Sequence, residues 1–259
     1  MVKDTMRIKV LGCSGGIGAK LRTTSLLIDD DVLLDAGTGV GDLSIAELEQ
    51  VNDVFLTHSH LDHVACLPLL IDTIFDSRKK PVTVHGRTET LDALKSHVFN
   101  WVIWPDFSVL PNTRKPSMQY QVLRPGQATK LSQGTLSMVE VNHTVPGAGY
   151  ILQADNKALA FSGDTAANDN FWQALNALPQ LDVLIVETAF ANDNRELAWM
   201  ARHYCPETLA KDIRKLQHDP LIYITHLKPG AETQIMQELH DALPQRKIEP
   251  LQPAQEIIL

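Results

Sequence analysis

The sequence predicts an α/β protein in which two β-sheets pack face to face and helices cover the outside. Three observations predict it. Short apolar runs bounded by Gly, Asp and Asn crowd the first third of the 259 residues; a second cluster of strand-like runs follows; helix and strand then alternate with no break between the halves. In order, strands are expected at Ile8–Leu11, Ser25–Ile28, Val32–Leu34 and Val54–Leu56, because these runs are too short for helices. Helical patterns follow at Leu67–Phe75 and Glu89–Val98. The second strand cluster covers Gln119–Leu123, Gly134–Val141, Tyr150–Gln153 and Leu159–Phe161. The alternating part reads helix Phe171–Ala177, strand Val183–Val186, helices Glu196–Ala201 and Pro206–Gln217, strand Leu221–Ile224 and helix Glu232–His240. Asn100–Pro116, with three aromatic residues and three prolines, reads as an ordered loop that carries something specific.

Composition bounds the function. Apolar residues make up 44% and charged residues 21%, enough for a large core and too apolar for a disordered chain. There is no internal repeat, low-complexity tract or linker, so residues 1–259 are expected to form one domain. No run of about 18 apolar residues offers a membrane span. Charges interrupt the start, Met1-Val-Lys-Asp-Thr-Met-Arg, where an export signal needs an apolar run, so a cytoplasmic location is expected. Cys13, Cys66 and Cys205 are odd in number and far apart, as suits reduced thiols. The net charge of −8, with no basic run longer than Arg78-Lys79-Lys80, argues against long nucleic acid as the main partner.

Histidine is the informative residue. The strand Val54–Leu56 runs into Thr57-His58-Ser59-His60-Leu61-Asp62-His63, a turn that can aim four side chains at one point. Imidazole with carboxylate suits zinc and its neighbours, with manganese or iron as the alternatives. If His58 and His60 grip one ion, Asp62 and His63 can grip a second, and further ligands must come from elsewhere. Three more apolar strands stop at metal-type residues: His143 in Asn-His-Thr, Asp164 in Gly-Asp-Thr and His226 in Thr-His-Leu. Only a fold that brings strand ends to one rim unites them. His85, His97, His218 and His240 have no such company and are assigned to packing or the surface. Gly12-Cys-Ser-Gly15-Gly16-Ile-Gly18 lacks the Lys-Ser/Thr ending of a phosphate loop and reads as a turn between the first two strands.

These residues resemble the metallo-β-lactamase superfamily. His58-Ser-His60-Leu-Asp62-His63 matches its His-x-His-x-Asp-His motif, Asp35 in Leu-Leu-Asp-Ala-Gly matches its early aspartate, and His143, Asp164 and His226 follow in order. A closer resemblance is to class II cyclic-nucleotide phosphodiesterases. It rests on the same motif followed by Val64-Ala-Cys-Leu-Pro-Leu-Leu, on Leu94-Lys-Ser-His97-Val-Phe-Asn100-Trp101-Val-Ile-Trp104-Pro105-Asp106-Phe107, and on Glu187-Thr-Ala-Phe190. That family's Gly-His-Leu-Thr-Pro segment reads Arg202-His203-Tyr204-Cys205-Pro206 here, which keeps the histidine and proline and changes the rest.

The resemblance implies a four-layer αββα sandwich of two mixed sheets with a two-metal site at their rim. It implies His58, His60 and His143 on one ion, Asp62, His63 and His226 on the other, Asp164 bridging, and Asp62 acting in catalysis as well. It further implies attack on a cyclic nucleotide, cyclic AMP first, by a hydroxide shared between the ions. His203 is the expected proton donor to the leaving oxygen, oriented by Glu187. Trp104 or Phe107, with Asn100 beside them, is the expected binding wall for the purine. The competing enzyme is a tRNA 3′-processing phosphodiesterase or another ester hydrolase with the same metal positions. A non-catalytic binding module would have lost ligands, and all seven are present here. The partner expected is a small molecule, with no membrane, and a homodimer is allowed.

Overall fold

The computed structural model describes residues 5–259; Met1–Asp4, part of the charged start, lie outside the described residues. The chain opens with β1 (Arg7–Gly12), β2 (Ser25–Ile28), β3 (Val32–Leu34), α1 (Ile45–Leu48) and β4 (Asp53–Phe55). Next come α2 (Leu61–Val64), α3 (Leu67–Thr73), β5 (Val82–Gly86) and α4 (Thr88–His97). A small hairpin of β6 (Pro111–Asn112) and β7 (Lys115–Pro116) leads into β8 (Met118–Val122). The second half runs β9 (Ala128–Leu131), β10 (Gly134–Val141), β11 (Gly147–Ala154), β12 (Lys157–Phe161), α5 (Asp169–Asn176) and β13 (Val183–Glu187). It ends with α6 (Arg195–Ala201), α7 (Pro206–Asp212), β14 (Leu221–Thr225), α8 (Glu232–Ala242), β15 (Ile248–Pro250) and β16 (Glu256–Ile258).

Two seven-stranded mixed sheets result, ordered β16-β1-β2-β3-β4-β5-β8 and β15-β14-β13-β12-β11-β10-β9. Successive side chains of a strand point to opposite faces, so a strand buried on both sides needs an unbroken apolar run. β2 shows the division: Leu26 and Ile28 enter the core between the sheets, while Leu27 faces the helices of its own side. β13 repeats it, with Val183 and Ile185 between the sheets and Leu184 and Val186 under the second helical layer. Each such buried aliphatic contributes about 1.5–3 kcal/mol relative to exposure. The expected sandwich with outer helices is what forms.

Several boundaries differ from the sequence reading. The helix expected over Pro206–Gln217 stops at Asp212 and tightens into a 3₁₀ turn over Ile213–Lys215. β5, β9, β15 and β16 are strands that the reading passed over. The three cysteines are unpaired. Among the described residues no helix is long and apolar enough to cross a membrane.

The fold fixes a rim. β12, β13, β14 and β15 run parallel, as do β3, β4, β5 and β8. β10 pairs antiparallel with β11 and β11 with β12, so β10 also ends on the side where β12 ends. Loops leaving the carboxyl ends of such strands form the crevice where α/β sheets bind ligands. The two sheets are tied there by the Ala148 N–H donating to the Thr57 carbonyl at 2.9 Å.

Candidate metal centre

Four strand ends deliver the histidines and aspartates singled out above. The chain leaving β4 enters Thr57 and His58, and α2 starts at Leu61 with His60 as its cap, so Asp62 and His63 lie in its first turn. β10 ends just before His143, β12 before Ser162-Gly163-Asp164, and β14 before His226. Ligand atoms of His58, His60 and His143 lie within 4.8 Å of one another, as do those of Asp62, His63, Asp164 and His226. The His143 Nε2 and His60 Nδ1 atoms face each other at 3.1 Å. Asp164 stands between the groups, its Oδ2 lying 3.8 Å from His58 Nε2, 3.3 Å from His63 Nε2 and 3.4 Å from His226 Nε2. Asp62 Oδ2 is 3.9 Å from His63 Nε2 and 3.8 Å from His226 Nε2.

A ring of supporting groups aims these side chains. Asp35 lies 2.7 Å from His63 Nδ1 and accepts from the Thr57 N–H and hydroxyl, both at 2.8 Å. The Thr57 hydroxyl also lies 2.9 Å from His58 Nδ1. His143 Nδ1 donates to the Arg202 carbonyl at 3.0 Å, and His226 Nδ1 reaches the Thr24 hydroxyl at 3.5 Å. With Nδ1 engaged outward, His58, His63, His143 and His226 are left to present Nε2 to the centre. Asp35, Arg202 and His226 all sit at positive φ (59°, 52° and 62°), a conformation costly for non-glycine residues and typical of functional sites.

Electrostatics suits cation binding. Burial pushes His58 well below the ordinary histidine range, and takes His143 down to about 4 and His226 to about 3. Burial also lowers His60. These imidazoles are therefore neutral, the form that ligates. Burial opposes charge on His63 as well, but Asp164 and Asp35 outweigh it and raise its pKa. Burial disfavours ionised Asp164, yet His226 and His63 hold its carboxyl well below the usual range. Among the described residues, Nε2 of His58 and of His63 are buried without a hydrogen-bond partner. Leaving such an atom unpaired costs about 1–3 kcal/mol. Two orphaned imidazole nitrogens beside a buried carboxylate fit divalent cations as the missing partners.

His203 flanks this cluster. Its ring lies 5.0 Å from that of His143 and stacks on His226 at 5.2 Å. Its Nδ1 is 2.8 Å from Glu187 Oε1, so Nε2 is the free nitrogen. Burial raises the Glu187 pKa, but the N–H groups of Thr165 (2.9 Å) and Ala189 (3.1 Å) join His203 in pointing at it. Three donors around one carboxyl suit its ionised form. Burial likewise opposes a charged His203, and Glu187 outweighs it, raising its pKa.

Two glycines make the geometry available. Gly163 adopts φ +58°, and a Cβ there would stand 2.6 Å from the Ala148 carbonyl and 2.9 Å from Thr57 Cγ2. Gly163→Ala should destabilise the protein by about 2 kcal/mol and shift Asp164, read as a lower urea midpoint with reduced bound metal; an unchanged midpoint would contradict this. Gly15, in the glycine-rich turn, lets that turn pass the His226 carbonyl, which a Cβ would approach to 2.4 Å. The turn is a seat for His226, whose N–H donates to the Cys13 carbonyl at 2.8 Å.

The aromatic loop lies elsewhere, which corrects the expectation of a purine wall built from it. Phe107 is 3% exposed and packs against Phe75 and Phe99 in the first helical layer. Its carbonyl accepts from Ser117 and Met118, and Met118 pairs with Val82, the first residue of β5. That is the opposite end of the sheet from the rim. The Trp104 backbone N–H donates to the Val98 carbonyl at the far end of α4, and Trp104 packs on the same core. The Asn100 carboxamide caps its own turn through Ser96, Val102 and Ile103. These residues anchor the loop.

Thr24, Thr57 and the Arg202 carbonyl went unread in the sequence. Thr57 adjoins the histidine motif and was within reach; a backbone carbonyl has no sequence signature.

Comparison with known proteins agrees with the fold described above. The family model described as the beta-lactamase superfamily domain matches residues 31–248. The chain is 29% identical over 206 residues to a probable 3′,5′-cyclic-nucleotide phosphodiesterase of Yersinia pestis, covering 70% of this chain and 58% of that one. It thus spans less than two thirds of that relative's length. The 3′,5′-cyclic-nucleotide phosphodiesterase of Aliivibrio fischeri is 26% identical over 84% of this chain and 80% of its own. Ribonuclease Z of Bacillus licheniformis is 28% identical over 91% and 92%. Among solved structures, unliganded yeast PDE1 superposes with a TM-score of 0.84 at 18% identity, covering 100% of both chains, and so shares the fold.

Proposed function

The chain belongs to the beta-lactamase superfamily, and from that premise we propose that it is a metal-dependent phosphodiesterase opening 3′,5′-cyclic nucleotides, cyclic AMP first, to 5′-monophosphates. The observation that carries the reading is the pair of ligand groups joined through Asp164 with the His203–Glu187 pair at their side. One cation would be held by His58, His60 and His143 and another by Asp62, His63 and His226, with Asp164 shared; zinc fits these donors best, manganese or iron next. Bound there, such cations would lower the pKa of water and neutralise charge on a phosphodiester.

The chain's own residues do the rest. Asp35, Thr57 and the Arg202 carbonyl hold the imidazole rings in one tautomer and orientation. Asp62, 31% exposed in its side chain, is open to solvent and accepts a hydrogen bond from the attacking water. Attack at phosphorus breaks the bond to the ribose 3′-oxygen, a strongly basic leaving group. His203 gives that oxygen its proton from Nε2, while Glu187 steadies the imidazolium through Nδ1. His203→Ala should therefore lower kcat by about 10²–10⁴-fold with the metal content intact; undiminished turnover would remove the assignment.

The function is tested by a turnover panel on metal-replete protein: cyclic AMP, cyclic GMP, an aryl phosphodiester, a sulfate ester and a tRNA precursor. Release of 5′-monophosphate from the cyclic nucleotides at the highest kcat/KM is expected. Preferential trimming of the tRNA precursor would favour the second reading, a 3′-processing nuclease, which the nearly full-length match to a Ribonuclease Z supports. The net charge of −8 weighs against it.

A further inference from the structure

With the aromatic loop at the far end of the sheet, the part of a substrate that extends from the metal centre needs another surface. A cavity of about 340 Å³ opens beside His203 and is shared between that side chain and α6. One side is made by Ala166 and Ala167, the residues that follow the Asp164 turn, and another by Ala198 and Trp199 of α6. Trp199 is 79% exposed, an unusual state for a large aromatic side chain in a folded protein. It stands at the mouth of a mostly apolar recess that adjoins a group reaching the metal cluster. Phe190, the other aromatic ring near His203, is already engaged: it meets His203 at 5.7 Å, and the Lys228 ammonium sits 5.9 Å over its face.

We propose that this recess is the nucleobase subsite and that Trp199 supplies its stacking wall. The proposal rests on the cyclic-nucleotide reading above and deepens it. Geometry ties the two: a phosphate at the Asp164 cluster places its 3′-oxygen at His203, and the recess that His203 itself lines is open to the remaining ribose and base. The volume accommodates a planar purine with room for the sugar.

Several polar groups around the recess are occupied, while His203 Nε2 is committed to the 3′-oxygen and the Glu196 carboxylate is exposed to solvent. The Thr208 hydroxyl donates to the Cys205 carbonyl, Arg195 pairs with Glu207 at 3.0 Å, and His203 Nδ1 is held by Glu187. The walls thus read a flat apolar face in preference to the hydrogen-bonding edge of a base. Stacking is tolerant of base identity, because every base has a π-face. The subsite therefore separates adenine from guanine poorly.

The test compares Trp199→Ala with wild type on cyclic AMP, cyclic GMP and a base-free ribose 3′,5′-cyclic phosphate. KM for both nucleotides should rise about tenfold relative to KM for the base-free compound, with similar rises for the two bases. Trp101→Ala, which removes another exposed tryptophan, at 62% exposure in the distant loop, should leave all three KM values as they are. Independently, 5′-AMP should quench tryptophan emission in the wild type, and this quench should disappear in Trp199→Leu. Equal KM ratios in wild type and Trp199→Ala would overturn the subsite while leaving the cyclic-nucleotide reading in place. So would a loss of self-association on gel filtration without a change in KM, which would make Trp199 a contact between copies. If the wild type cleaves no cyclic nucleotide, the functional reading fails on its own, and the AMP quench still decides whether Trp199 binds a base.

Discussion

Asp164→Asn is expected to reduce phosphodiester hydrolysis by at least about 10³-fold, the scale of losing one strong electrostatic stabiliser in a closed site. Bound metal, measured by elemental analysis after reconstitution and gel filtration, should fall with it. The reason is position. Asp164 is buried, and its Oδ2 is within 3.8 Å of His58, His63 and His226 together, so this one carboxylate touches both ligand groups. Asparagine keeps the shape and removes the charge. The neighbouring imidazoles would then face a neutral amide, and two cations would share six ligands with no anion between them. Wild-type metal content with wild-type turnover in this variant would refute the arrangement proposed for the centre.

Asp212→Ala should have the largest effect on stability. The Asp212 carboxylate is buried and accepts from Trp172 Nε1 at 2.6 Å and the Tyr204 hydroxyl at 2.5 Å, and pairs with Lys215. Burial works against its charge, and the hydrogen bonds from Lys215, Tyr204 and Trp172 hold its pKa below the usual range. Alanine would leave the Trp172 and Tyr204 donors buried and unanswered, at about 1–3 kcal/mol each. The Lys215 pair adds little, since the lysine is half exposed. The expected loss is about 4 kcal/mol in urea denaturation, and about 8–16 °C in melting temperature for a chain of this size. A loss below about 1 kcal/mol would show that the network is dispensable. Turnover should drop too, because Tyr204 follows His203 and its carbonyl receives the Ala189 N–H that flanks Glu187.

The strands that carry the site were legible because both of their faces are covered. Val183-Leu-Ile-Val186 and Leu26-Leu-Ile28 are apolar throughout, and only a strand between two layers needs that. β9 and β16 escaped notice for the opposite reason. They are short edge strands with exposed residues, and their apolar signal is diluted. The seven metal-type residues announced themselves by ending strands. The aromatic loop misled because its residues resemble a binding surface and are used as a plug: hydrophobicity marks burial and ligand contact alike, and only topology tells which end of β5 the loop adjoins. Trp199 had no periodic partner in a seven-residue helix to make it conspicuous. The 3₁₀ ending of α7 was equally hidden, since the residues after Asp212 remain good helix formers.

The last strand pairs with the first. β16 lies against the outer edge of β1, joining Arg7 to Ile258 and Lys9 to Glu256, and the Arg7–Glu256 ion pair spans 249 positions. At ribosomal speeds of about 5–20 residues per second, β1 waits roughly 12–50 s for that neighbour. Throughout this interval the nascent first sheet presents a raw edge, competent to zip onto other chains. A comparable wait applies to His226, whose seat on Cys13 stays empty until β14 has been made. Assembly of the rim that gathers the seven metal-type residues therefore waits for β14, and a chain that stalls between β1 and β16 leaves the first sheet unsealed along β1.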